Sequence, residues 1–181
     1  MKLPTKKPTK PTTLAKQKNG RLDTALLHPC GLPGFVMEAT AARAMRALVA
    51  AAREAGFTLT ATGTYRTFEQ QRRLFLSRYT RLPIPGRPTK TWKGLTYWQK
   101  PFTAQAATPG KSNHGLGLAA DLAIVDKNKR VVSLPKNVVW FLVNEAPKFG
   151  IHAELQSEPW HWVYTAGDNI PEAVLAWETK S

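Results

Sequence analysis

The chain has 181 residues, 43% of them hydrophobic and six of them tryptophan, which is enough for one domain with a core of its own. No apolar run approaches the roughly 20 residues needed to cross a bilayer, and a single cysteine, Cys30, excludes an internal disulfide framework. A formal charge of +14 and a pI near 10.2 favour polyanionic partners: nucleic acid, anionic lipid or the phosphate polymers of a bacterial envelope.

Much of the positive charge lies in two regions. Lys2, Lys6, Lys7, Lys10, Lys16, Lys18 and Arg21 precede the first acid, Asp23. Residues 1–20 are a Lys, Pro and Thr mixture with little to bury, so their composition predicts a disordered basic arm ahead of a domain at 21–181. No hydrophobic stretch follows the lysines, so the arm does not read as a secretory signal. The second basic region runs between Glu69 and Asp121 without an acid.

Residues 37–56, rich in Ala, Arg and Met and closed by Gly56, predict a helix. "FTLTATGTYR" (57–66) alternates as a strand does, and "FEQQRRLFLSRY" (68–79) predicts a second helix with Leu74, Phe75 and Tyr79 as apolar positions. Prolines and glycines across 82–109 leave no period, which predicts a long loop. Its aromatics Trp92, Tyr97 and Trp98 could stack nucleic-acid bases; contact with an anionic cell-wall polymer accounts for them equally and is the preferred reading. "LAADLAIVD" and "VVSL" predict paired strands, "NVVWFLVNEA" a helix halted near Pro147, "PWHWVYT" a strand and "IPEAVLAW" a closing helix. This irregular order of helices and hairpin-like strands predicts an α+β fold, a small antiparallel sheet flanked by helices.

Candidate chemistry collects at two of these strands. "GKSNHGLGLAADL" sets His114 in a glycine-rich turn and Asp121 in the strand after it. Zinc favours imidazole nitrogen and carboxylate oxygen, and catalytic sites take three protein ligands with a fourth position open. The pair alone fits a loop and a strand without chemistry just as well. In "EPWHW", strand alternation puts Trp160, Trp162 and Tyr164 on a core face and His161 on the other. Pro159 interrupts the strand, so the Glu158 carboxylate can swing toward the His161 side. Glu154 competes with Glu158 for a base role but fits no motif. His28 and His152 read as structural, and Cys30 as a packing residue.

These segments together resemble one family. "SNHGLGLAAD" matches S-x-H-x-x-G-x-A-x-D, "EPWHW" matches E-x-W-H, and "TYRTFEQQ" (64–71) resembles Y-R-[ST]-x-x-x-Q. All three belong to the D-Ala-D-Ala carboxypeptidase and VanY-like zinc peptidases, a family that includes phage endolysins cutting L-Ala-D-Glu bonds. The resemblance implies a hedgehog/DD-peptidase-like fold, with Zn2+ on His114, Asp121 and His161. It makes Glu158 the general base and Arg66 the stabiliser of the oxyanion, with Ser112 and Gln71 as substrate-binding or supporting residues. The implied activity is hydrolysis of an amide bond in the peptidoglycan stem peptide by a monomeric phage or bacterial lytic enzyme. Such an enzyme is made in the cytoplasm and reaches the cell wall or periplasm through a holin, in a virion or on lysis. Hedgehog-type domains share the fold and hold zinc, so a non-catalytic zinc module is the alternative. The presence of Glu158 and Arg66 beside the ligands separates the two.

Overall fold

A computed structural model describes residues 1–180. A short antiparallel pair opens the domain, β1 (Leu27–Pro29) with β2 (Val36–Glu38). The principal helix follows, α1 (Ala39–Glu54), rich in strong helix formers. Glu38 caps it, its carboxylate accepting from the backbone N–H groups of Thr40 and Ala41. Ala41, Ala44, Met45, Leu48 and Ala52 recur at helical spacing and form its buried face.

The main sheet has the spatial order β3 (Leu59–Gly63), β7 (Ala119–Val125), β10 (His161–Tyr164), β9 (Ile151–Ala153). All its pairings are antiparallel, and β8 (Val131–Val132) pairs with the end of β7 beyond β10. Between β3 and β7 lie α2 (Phe68–Arg78), β4 (Tyr79–Thr80), β5 (Thr89–Trp92) and β6 (Leu95–Gln99). Later come α3 (Lys136–Glu145), a short 3-10 turn carrying Pro147, and α4 (Glu172–Glu178). Leu118, Ala120, Leu122, Trp162 and Tyr164 turn to the core with the buried face of α1. Cross-strand pairing sets Ala120 opposite Trp162, so a small residue makes room for the largest. Buried Cys30 packs in this core, as its sequence context implies.

Two sequence expectations change. The 82–109 region is not a structureless loop. β4, β6 and β5 form a three-stranded sheet of their own. Phe75 stacks on Tyr79 with ring centroids 4.7 Å apart and meets Tyr97 at 5.2 Å and Trp92 at 5.7 Å. Strand periodicity was masked because one face of a small sheet packs on a single helix while turns occupy much of the segment. Tyr97 is buried in this second core and Trp92, half-buried, packs against it.

Residues 1–20, expected as a solvated arm, lie along the domain. Leu3 and Leu14 are buried in the main core. The Lys6 amide donates to the Ala153 carbonyl at 3.1 Å, the Thr13 hydroxyl to Glu38 at 2.8 Å, and the Gly20 amide to the Gly115 carbonyl at 2.6 Å. Composition averaged over the arm hides two well-placed leucines and the polar edge that receives its backbone. Gly20 has φ +76°, and a Cβ there would sit 2.5 Å from the Phe68 backbone nitrogen. Gly20→Ala should therefore cost roughly 1–3 kcal/mol, read as a thermal midpoint lowered by about 3–10 °C. An unchanged midpoint would show that the arm does not hold this place.

Candidate metal centre and active-site cavity

Three backbone features bring the ligand candidates together. His114 sits in a 3-10 turn, Asn113–Leu116, that Gly117 ends at φ +67°. A Cβ on Gly117 would meet the Glu38 backbone nitrogen at 2.7 Å, so only glycine allows the turn to enter β7 here. Asp121 lies in β7 with Gly63 beside it on one edge and His161 on the other. Directly paired residues of antiparallel strands share a face, so the β10 register alone aims His161 and Asp121 the same way. A register shift in β3 between Ala61 and Gly63 then carries the chain to Thr64, whose carbonyl accepts the His114 Nδ1–H at 2.7 Å.

The remaining ring nitrogen of His114, Nε2, is 3.3 Å from Asp121 Oδ2, and His161 Nδ1 is 2.8 Å from Asp121 Oδ1. One donor atom from each residue lies within 4.8 Å of the others. Donors around a tetrahedral ion with bonds of about 2.1 Å are roughly 3.4 Å apart, so the cluster needs little movement to close on a metal. Two imidazoles and one carboxylate are a donor set that suits zinc. Burial opposes ionisation of Asp121, but hydrogen bonds from His114 and His161 outweigh it and hold the carboxyl well below the usual range. Burial likewise disfavours a charged His161, yet the Asp121 and Glu154 carboxylates push its pKa up to about 9.

A cavity of about 640 Å³ opens over this cluster. Arg66 lines it, 3.7 Å from Asp121 Oδ2, and burial lowers its pKa against the opposing pull of Asp121. Gln71 is only 2% exposed. Its Oε1 accepts from Arg66 Nη1 at 2.9 Å and its Nε2 donates to the Ala107 carbonyl at 2.7 Å. It lines the cavity and braces the guanidinium. Ser112 and Glu158 both line the cavity, Glu158 from the loop that leads into β10. Trp160 departs from the expected core face. β10 begins only at His161, which leaves Trp160 45% exposed at the cavity wall while Trp162 and Tyr164 are buried.

Other residues here carry no motif signal. Glu154 reaches His161 Nε2 at 2.8 Å and accepts from Asn113 Nδ2 at 2.8 Å. Arg78 and Lys90 reach the cavity from α2 and β5, and Lys90 Nζ donates to the Ala106 carbonyl at 2.8 Å. Only the packing of the small sheet on α2 brings Lys90 to this wall. His152 bonds Thr165 and His28 is exposed on β1, both outside the cluster.

The sequence profile of the VanY family, described as D-alanyl-D-alanine carboxypeptidase, matches residues 34–167. The chain belongs to this family. The match spans both halves of the metal cluster and the Arg66 segment. Solved structures of similar fold include the LdcB LD-carboxypeptidase, at TM-score 0.58 and 20% identity over 89% of this chain and 76% of that one. VanYB in complex with D-alanine-D-alanine aligns at TM-score 0.54 and 22% identity, covering 85% and 82%. A mutant of the vancomycin-resistance D,D-pentapeptidase VanY in complex with Zn(II) aligns at TM-score 0.54 and 22% identity, covering 90% and 85%. Among curated proteins no sequence matches. The mixed fold of small antiparallel sheets and helices is that of these VanY and LdcB peptidases.

Proposed function

We propose that the chain is a zinc-dependent carboxypeptidase that removes a terminal D-amino acid from the peptidoglycan stem peptide. The observation that carries this reading is the convergence of His114, Asp121 and His161 under a cavity that Glu158 and Arg66 also line. His114 Nε2, one Asp121 oxygen and His161 Nδ1 would hold the ion. When bound, zinc supplies Lewis-acid stabilisation of negative charge developing on oxygen and makes a water more acidic. Asp121 neutralises one of the ion's two charges, which weakens that acidifying effect and leaves the proton to a protein base.

Glu158 fills that role. It takes a proton from the attacking water as the water adds to the amide carbon, then delivers it to the departing amine nitrogen. Arg66, held by Gln71, faces the oxyanion that forms. Arg66→Ala should keep zinc and lower kcat by about 10²–10³-fold, as removal of an oxyanion donor does elsewhere; steady-state kinetics on a stem pentapeptide measure it. Arg78, Lys90 and Lys111 give the same cavity a cationic lining that suits a free terminal carboxylate, which favours a carboxypeptidase over an endopeptidase. Mass spectrometry of stem peptides and muropeptides digested by the zinc-loaded protein tests the whole reading. Release of terminal D-alanine supports it. Cleavage between L-Ala and D-Glu would make the enzyme an endopeptidase, and no cleavage would make it a zinc-bearing binding module.

On this reading the protein is a phage or bacterial enzyme that trims stem peptides at the cell wall, reached through a holin, in a virion or on lysis; the lytic role belongs to the endopeptidase outcome of the same digest. Lys2, Lys6, Lys7, Lys10, Lys16 and Lys18 are all exposed on the docked amino-terminal segment, a display suited to anionic wall polymers. Replacing these six with glutamine should weaken co-sedimentation with purified walls at low salt and flatten its salt dependence. Unchanged binding would remove the segment from wall recognition.

A further inference from the structure

We infer that Glu154 and Asn113 are positioning residues for His161, fixing its tautomer and tying together the two segments that supply the metal ligands. The inference rests on the metal-binding reading above. His161 turns Nδ1 toward Asp121 and Nε2 toward Glu154 Oε2, each at 2.8 Å. A carboxylate at Nε2 keeps a proton on that nitrogen, so the proton given up when a metal binds is the one on Nδ1, on the side of Asp121 and His114. His114 is treated alike from the other side, its Nδ1–H bonded to the Thr64 carbonyl and Nε2 left for the centre. Both imidazoles are therefore oriented by a partner on the nitrogen that points away from the cluster.

The second oxygen of Glu154 accepts from Asn113, which immediately precedes His114 in its 3-10 turn. One carboxylate thus bridges the ring of one ligand to the turn that carries the other, two segments far apart in the chain. This placement also separates the roles of two nearby acids. Both Glu154 oxygens are engaged, one by an imidazole and one by an amide, and the histidine nitrogen it touches is turned from Asp121. Glu158 shares the cavity and neither hydrogen bond. The motif gives no hint of this, because Glu154 lies just past β9 and comes opposite His161 through the β9–β10 pairing, its amide donating to the His161 carbonyl at 3.4 Å.

The test compares wild type with Glu154→Ala, Glu154→Gln and Asn113→Ala, each purified metal-free. Zinc affinity is measured by competition with a chromophoric chelator, cobalt(II) coordination by its visible spectrum, and folding by the thermal midpoint without metal. Glu154→Ala should bind zinc about 10–100-fold more weakly and shift the cobalt spectrum. Glu154→Gln keeps an oxygen for Nε2–H, with Asn113 turned to meet the new amide, and should recover most of both. Asn113→Ala should show a smaller loss in the same direction, and it carries the test if Glu154→Ala fails to fold. Wild-type zinc affinity and cobalt spectrum in Glu154→Ala would overturn the inference, as would a Glu154→Gln no better than alanine. Undiminished zinc affinity with lost hydrolysis in Glu154→Ala would overturn it too, by making Glu154 the base. If wild type itself takes no zinc, the metal-binding reading has failed rather than this one alone.

Discussion

Glu158→Ala should bind one zinc per chain with wild-type affinity and lose hydrolysis of the stem peptide by about 10²–10⁴-fold, the usual contribution of a positioned general base. The two halves of this outcome separate base from ligand. Glu158 lines the cavity, yet the cluster that can hold a metal is formed by His114, Asp121 and His161 without it. Its backbone amide caps a local turn to Leu155, and its carbonyl accepts the His161 amide at 2.9 Å, so truncating the side chain leaves the approach to β10 intact. Glu158→Gln should be as inactive, because an amide cannot take the proton. Single-turnover rates with zinc content measured on the same sample decide the matter. Turnover retained in either variant would remove Glu158 from the mechanism and direct attention to Glu154.

His161→Ala is expected to lose both zinc and turnover, and zinc added in excess should not restore activity. His161 is 7% exposed, and its ring separates the Asp121 and Glu154 carboxylates, each 2.8 Å from one of its nitrogens. Removing it deletes a ligand and leaves two half-buried acids without the group that paired them. The drop in zinc affinity should exceed the roughly 10–100-fold cost of losing an outer partner. The metal-free variant should also melt below metal-free wild type, since the pairing it loses belongs to the protein alone. In wild type, chelation should abolish activity and zinc should restore it. Full zinc occupancy in His161→Ala, measured by elemental analysis, would mean that the ion sits elsewhere.

Much of the site was legible because the relevant signals are local. The glycines at 115 and 117, the histidine before them and the aspartate in the next strand fall within one short stretch, so their spacing is readable as a motif. Glu158, which the motif places three residues before His161, lies at the cavity lining. Trp160 was misplaced because strand alternation was extended one residue past the point where β10 pairing begins. The small sheet at β4, β5 and β6 was missed because its apolar residues are meaningful only against Phe75, a residue of another element.

By itself the sequence determined the α+β class and the helices α1 to α4 to within a few residues, which follow from period and capping carried by neighbours in the chain. The three residues that can share a metal were named by the resemblance of its motifs to the VanY-like family. Tertiary structure alone decided that Glu154 and Asn113 stand behind His161, that Gln71 braces Arg66, and that Lys90 reaches the cavity wall. It also decided that the basic segment is docked rather than free. Each of those contacts joins residues of different elements, set by strand register and packing. Free energies of that kind arise from surfaces meeting, and a one-dimensional pattern does not record which surfaces meet.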